Sequence, residues 1–214
     1  FDGPELANVW QWNHVPVADA WSLESRPGFL RLQSLPADDF WFARNTLTQR
    51  AMGPESIATT IVDPSGLKPG DRGGLALVNY PYSVLGITRE DDGGLVLERI
   101  DQNAADRIRL PLSADAGRIW LRAHCNFDTE QAVLSYSTDG ETFMPVGEPF
   151  TTIFQLQTFQ GVRYGLFNYT TATDSQGHLD FDEFMVEEPR ARRAIPFGQE
   201  ITLTSRAEET VLGV

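Results

Sequence analysis

The sequence predicts an all-β fold, a sandwich of two antiparallel sheets in the jelly-roll style. Three observations carry this. About a dozen short apolar runs are punctuated by turn residues at the spacing of a sandwich. Aromatic residues reach 11%, which favours strands, while eighteen Gly and thirteen Pro supply turns. Nothing reads as a long amphipathic helix; the best candidate, around Gln102 to Arg107, is short and loop-like. With 214 residues, 41% of them hydrophobic, the chain is long enough for one large domain with a core.

The elements follow in order. "VWQWNH" reads as a first strand, with Trp10, Trp12 and His14 on one face and Gln11 and Asn13 on the other. "GFLRLQSL" alternates Phe29, Leu30, Leu32 and Leu35 with polar residues after the turn at Pro27-Gly28. "FWFARNTLTQR" reads as a strand with Phe40, Phe42, Arg44, Thr46, Thr48 and Arg50 on one face and Trp41, Asn45, Leu47 and Gln49 on the other. "SIATTIVD" is a β-branched run ended by Asp63-Pro64, and "KPGDRGGLALVNY" is a turn-rich loop running into a strand. "YSVLGITRE" and "GLVLERI" flank Asp91-Asp92-Gly93-Gly94, a hairpin signal. "RIRLPL" and "RIWLRAHCNF" follow. "AVLSYSTDGETFMPVG" is the cleanest hairpin, turning at Thr138-Asp139-Gly140. "GVRYGLFNYTT" and "LDFDEFMVEE" complete the set. The pattern breaks in "VEEPRARRAIPFG", so residues 1–189 read as the domain. Residues 190–214 read as a tail or an extra strand, "QEITLTS", packed on it.

Net charge is −13, which argues against nucleic acid and against an anionic membrane surface, both of which call for clustered Lys and Arg. A neutral polysaccharide partner is compatible; acidity that only aids solubility is the plainer reading. No apolar run approaches a membrane span of about 20 residues. One cysteine, Cys125, excludes an intrachain disulfide and a multi-thiolate metal site, and its apolar strand makes it an inert core thiol. The compartment stays open, since a secreted or periplasmic bacterial protein need not carry disulfides and a cytoplasmic one fits equally. Beginning on Phe1 rather than Met, the chain is expected to be a fragment or processed product, so the lack of a signal sequence says nothing of a parent.

Catalytic constellations are missing from the pattern. There is no Gly-x-Ser-x-Gly, and His14, His124 and His178 form no metal-type pair. Asp180 and Asp182 in "LDFDEF" share a strand face, a poor arrangement for an acid/base pair that must flank a bond. With Asp2 they could hold a structural Ca²⁺ if the first and last strands are neighbours; ordinary strand or turn acids are the competing reading. The polar residues among the aromatics are more informative. Arg, Asn and Gln present planar donors and acceptors suited to sugar hydroxyls or to a partner's loops. Against that, Trp10 and Trp12 read as core, and Arg44 and Arg50 could pair with acids. In "GVRYGLFNYTT", Gly161 and Gly165 bracket Arg163, and Asn168-Tyr169-Thr170 matches a glycosylation sequon, a weak and common signal.

These residues carry a resemblance. "WQWNHVP…WSLESRPGFLRL", "ARNTLTQRAMGP" and "GVRYGLFNY…LDFDEF" resemble the C-terminal concanavalin A-like domain of family 43 β-xylosidases, from about Phe1 to Val186, with the "ARNTLTQR" octet its most specific part. Val15 departs from the family's usual Asn. The resemblance implies a two-sheet sandwich that lacks catalytic carboxylates of its own and packs against an N-terminal five-bladed propeller that carries them. In some members a loop of the sandwich reaches the active-site mouth, often with a Phe; the matching position here is Arg163. It also implies a xylan-binding type of module. Glycan-binding or propeller-facing residues are therefore sought among Gln11, Asn13, His14, Arg44, Asn45, Gln49, Arg50, Arg163, Asn168 and Tyr169. Three functions compete: a module binding xylan, arabinoxylan or xylo-oligosaccharide; a structural lobe that completes the active-site mouth or mediates oligomers; and, the weakest, an independent enzyme.

Overall fold

The computed structural model describes residues 1–113, 116–156, 158 and 160–190, together with the backbone of 202–204 and 211–213. In chain order the strands are β1 (Gln11–Trp12), β2 (Trp21–Ser22), β3 (Leu30–Gln33), β4 (Leu35–Pro36), β5 (Leu47–Arg50), β6 (Glu55–Asp63), β7 (Asp71–Val78), β8 (Ser83–Arg89), β9 (Leu95–Asp101), β10 (Ile108–Leu112), β11 (Ile119–Asn126), β12 (Gln131–Ser137), β13 (Met144–Pro145), β14 (Phe150–Thr151), β15 (Arg163–Thr170) and β16 (His178–Glu187). They form two eight-stranded sheets. The first runs β1-β5-β15-β7-β8-β9-β10, with β4 added beside β15; the second runs β13-β12-β11-β6-β16-β3-β2, with β14 beside β12. Pairing is antiparallel throughout except between β4 and β15, which run parallel. Two further short strands, β17 (Thr202–Thr204) and β18 (Val211–Gly213), pair with each other. The expected packing of the 190–214 tail otherwise lies outside the described residues.

The alternation read from the sequence explains the packing. Leu30 and Leu32 of β3, Leu75 and Leu77 of β7, Leu95 and Leu97 of β9, Leu121 and Ala123 of β11 and Phe181 of β16 are fully or almost fully buried in one core between the sheets. Cys125 belongs to it, and burial pushes its thiol up to about 11, the inert core thiol expected. The "STDG" turn forms through Asp139, whose Oδ1 accepts from the Ser137 hydroxyl and from the backbone N–H groups of Glu141 and Thr142. Those bonds hold its carboxyl down at about 2. Gln102 to Arg107 is turn and loop between strands, as expected.

One expected strand is only half a strand. Phe40–Phe42 is a single 3₁₀ turn capped by the Asp39 carboxylate, which accepts from Trp41 N–H. Extended pairing begins only at Leu47. The face assignment for "FWFARNTLTQR" therefore fails before Thr46: Phe40 is buried while Phe42 is exposed. The reason is a second, smaller apolar cluster on the outer face of the first sheet. Phe40 packs edge-on against Tyr82 and Phe167, joined by Val84 and Tyr169, so the 3₁₀ turn serves as a lid over that face.

Candidate functional site

The N-terminal stretch behaves as a strand for two residues only. Gln11 pairs with Thr48 and Trp12 with Leu47. Trp12 packs on Trp21 with ring centroids 5.2 Å apart, and Trp10 lies 4.9 Å from Phe184, so both indoles turn to the core as read from the sequence. Gln11 is exposed on the other side. Beyond Trp12 the alternation ends: Asn13 N–H donates to the Thr46 carbonyl, and the His14 ring nitrogen Nε2 lies 2.9 Å from the Trp41 carbonyl oxygen. His14 therefore does not follow Trp12 inward; it lies beside Asn13.

These two line a cleft of about 210 Å³ on the outer face of the first sheet, with Trp41, Val78, Asn79, Thr158, Gln160, Gly161 and Arg163. Arg163 opens β15 and stands opposite Arg50 of β5 and Val78 of β7 in register. Gly161, at φ +66°, gives the chain the left-handed turn that a side chain there would resist just before this strand. Arg163 is only 8% exposed; its Nη1 donates to Thr48 Oγ1 at 3.3 Å, and its Nε meets no acceptor among the described residues. Burial, then the neighbouring Arg50, pull its pKa down. Asn79 is fixed, its amide donating to Ile153 O and accepting from Thr158 Oγ1. Among the described residues the lining holds no carboxylate.

The other sought residues scatter. Gln11, Gln49 and Arg50 border a separate groove of about 400 Å³ with Met52, Val186 and Glu188. Arg44 and Asn45 are committed to the chain itself. Arg44 donates through Nε and Nη2 to the Val15 carbonyl, and the buried Asn45, at φ 55°, both accepts from Val17 N–H and donates to Val17 O. Together they pin the 15–17 loop. The contact at Val15 is through its backbone, and its side chain is 79% exposed, so its departure from Asn leaves this pin intact. Asn168 and Tyr169 are buried. Asn168 Nδ2 donates to Leu32 O and Ser34 Oγ, joining β15 to the other sheet, and Tyr169 sits in the second cluster. Neither presents a surface to a glycan, and the sequon acceptor amide is shut inside the protein.

The three acids considered for calcium do not meet. Asp180 is 2% exposed, and both its oxygens accept from arginines: Oδ1 from Arg31 Nε at 2.7 Å, Oδ2 from Arg31 Nη2 at 2.8 Å and Arg26 Nη1 at 3.0 Å. Asp182 pairs with Arg118 at 2.8 Å. Asp2 lines a different pocket, with Trp10 and Phe184. Among the described residues no group of three or more His, Cys, Asp or Glu side chains converges as a metal site. A Ca²⁺ ion would have to displace those guanidinium groups, so EDTA is expected to leave the melting temperature unchanged; a fall on chelation, reversed by added Ca²⁺, would contradict this.

Sequence reasoning missed Asn79, Thr158 and Gln160. The only signal was Asn79 itself, a polar residue closing an apolar strand just before Tyr80-Pro81-Tyr82. Among the described residues no helix is long and apolar enough to cross a membrane.

Comparison with known proteins gives one consistent picture. The family model of the β-xylosidase C-terminal concanavalin A-like domain matches residues 1–187. A β-xylosidase of Formosa agariphila is 31% identical over 206 residues, covering 86% of this chain and 34% of that protein. The solved structure of a bifunctional GH43-CE protein of Bacteroides eggerthii superposes with a TM-score of 0.79 at 33% identity, over 85% of this chain and 24% of that one. A GH43 glycoside hydrolase engineered to display endo-xylanase and exo-arabinofuranosidase activity gives a TM-score of 0.79 at 25% identity, over 87% of this chain and 40% of its own. The chain thus spans about a third or less of the curated relatives it matches.

Proposed function

The chain belongs to the family of β-xylosidase C-terminal concanavalin A-like domains, and from that premise we propose that it is a non-catalytic accessory domain of a family 43 glycoside hydrolase. In this reading it binds xylan or arabinoxylan and packs on the propeller that carries catalysis. The observation that supports it is the cleft. Trp41 offers an aromatic face, and Asn13, His14 and Gln160 add polar groups for ring hydroxyls, the mixture a sugar site uses. Described lining residues without a carboxylate suit binding rather than hydrolysis, since glycosidases set two carboxyl groups about 5–9.5 Å apart across the bond.

A second reading has its own support. Tyr80, Ile153, Phe154 and Leu156 are 42–70% exposed, and Asn79, which lines the cleft, holds the Ile153 carbonyl. Apolar side chains crowded beside a polar cleft suit docking against another domain. On that reading the domain completes the active-site mouth or mediates oligomers without affinity of its own.

Affinity electrophoresis separates the two. The 214-residue chain should be retarded in gels containing soluble xylan relative to gels without it, and Trp41→Ala should abolish the retardation. Unchanged mobility would remove the binding reading and leave the docking one.

A further inference from the structure

We propose that Arg163 makes the cleft selective for carboxylates, so that it takes a uronic-acid side group of a substituted xylan in preference to neutral sugar; this rests on the xylan-binding reading above. Arg163 is more than nine-tenths buried and carries five N–H donors, of which one is used among the described residues. Among the described residues no carboxylate lies within ion-pair distance, and the guanidinium facing it across the strands, Arg50, repels it. The same protein treats another buried arginine differently. Arg99, 3% exposed, is held by both Asp101 oxygens and by the carbonyls of Val146 and Glu148. A buried guanidinium without a counter-charge is costly, and a planar carboxylate is the group that satisfies it in bidentate fashion.

The surroundings fit a sugar acid. The cleft, about 210 Å³, lies below the 300–1,000 Å³ of sites for drug-sized ligands, so it suits a single small unit. Asn13 and Gln160 can meet ring hydroxyls while Trp41 covers a ring face. The net charge of −13 repels a polyanion at long range, but beyond about 8 Å salt screens that field and leaves Arg163 the dominant charge in the cleft. The competing source of a carboxylate is a side chain of the propeller.

The test is calorimetric titration of the 214-residue chain with a neutral xylo-oligosaccharide and with the same oligosaccharide bearing one glucuronic acid branch. The branched sugar should bind at least about tenfold tighter, and the advantage should shrink at high salt. In Arg163→Gln the ratio of the two affinities should fall to near one, and in Arg163→Lys, which keeps the charge but loses the fork, it should be intermediate. Arg163→Gln should also melt no lower than the parent, because it removes an uncompensated buried charge. Equal affinities of the wild-type chain for the two sugars would overturn the inference and leave the xylan reading intact. Binding of neither would overturn both. Absence of acid preference, together with an Arg163→Gln full-length enzyme that melts lower, would overturn it in favour of a propeller carboxylate.

Discussion

Replacing Asp180 with Ala lowers the unfolding free energy by about 3 kcal/mol, read from urea denaturation at neutral pH. Its carboxylate accepts three hydrogen bonds from Arg26 and Arg31, and Arg26 reaches on to Asp63 at 2.7 Å. Removing Asp180 leaves the Arg31 guanidinium without its carboxylate, and leaves Arg26, which sits 3.7 Å over the Phe29 ring, with Asp63 as its remaining carboxylate. The arginines are partly exposed, at 33% and 21%, so water recovers some of the loss, which keeps the figure at the low end for a broken buried pair. The same network shapes the acid limb of stability. Burial pushes the Asp180 carboxyl up, but the hydrogen bonds from Arg31 and Arg26 outweigh it and hold it below the usual range; Asp63 is held down likewise by Arg26 and Ser65. A folded-state pKa below the unfolded value means the contribution is complete above the unfolded value of about 4 and is lost as pH falls through the folded one. Stability of the parent should therefore fall steeply below about pH 4, and in Asp180→Ala that slope should flatten. An unchanged slope would show that Asp180 does not carry it.

Asn168→Ala should cost about 3 kcal/mol in the same experiment. The amide has no exposure and bridges the two sheets, donating to the Leu32 carbonyl and the Ser34 hydroxyl. Truncation deletes two hydrogen bonds and opens a small cavity, offset in part by removing an Oδ1 that is buried with no partner among the described residues. Asn168→Asp, nearly isosteric, should cost more at pH 7, since it buries a charge, loses both donors and turns a carboxylate toward an acceptor. The Asp variant should then regain stability on acidification, as a protonated carboxyl can donate again. A loss under about 0.5 kcal/mol for Asn168→Ala, the range of ordinary surface changes, would return this residue to the candidates for ligand contact.

Much of the fold was legible because its signals are local. Period-two alternation marked β3 and β11, and Asp-Gly turns marked the hairpins, each within a few residues. The site was legible only in part. Trp12 facing inward, with Gln11 outward, follows from pleating, whereas Trp10, just before the strand, turns inward by packing on Phe184. Asn45 and Asn168 looked like recognition residues, and the structure shows why composition misleads: each amide is spent on backbone groups far away in the chain, 28 and 136 residues off. Arg44 likewise satisfies the Val15 carbonyl. A polar side chain among aromatics can bind a ligand or close the fold, and only its partners tell which.

The sequence by itself determined the all-β class, the single sandwich, the family and the absence of a nucleophile motif, because each depends on residue type and short-range order. Tertiary structure alone decided that Phe40–Phe42 winds into a lid rather than a strand, that Asp180 serves two arginines, and that Asn13, Trp41, Asn79 and Arg163 meet in one cleft. Those outcomes rest on strand register between segments distant in the chain, which sets which side chains share a face and whether a buried charge finds its counterpart. Local patterning carries no information about that match, and Arg163, buried in the cleft with no anion among the described residues, is where the difference shows most clearly.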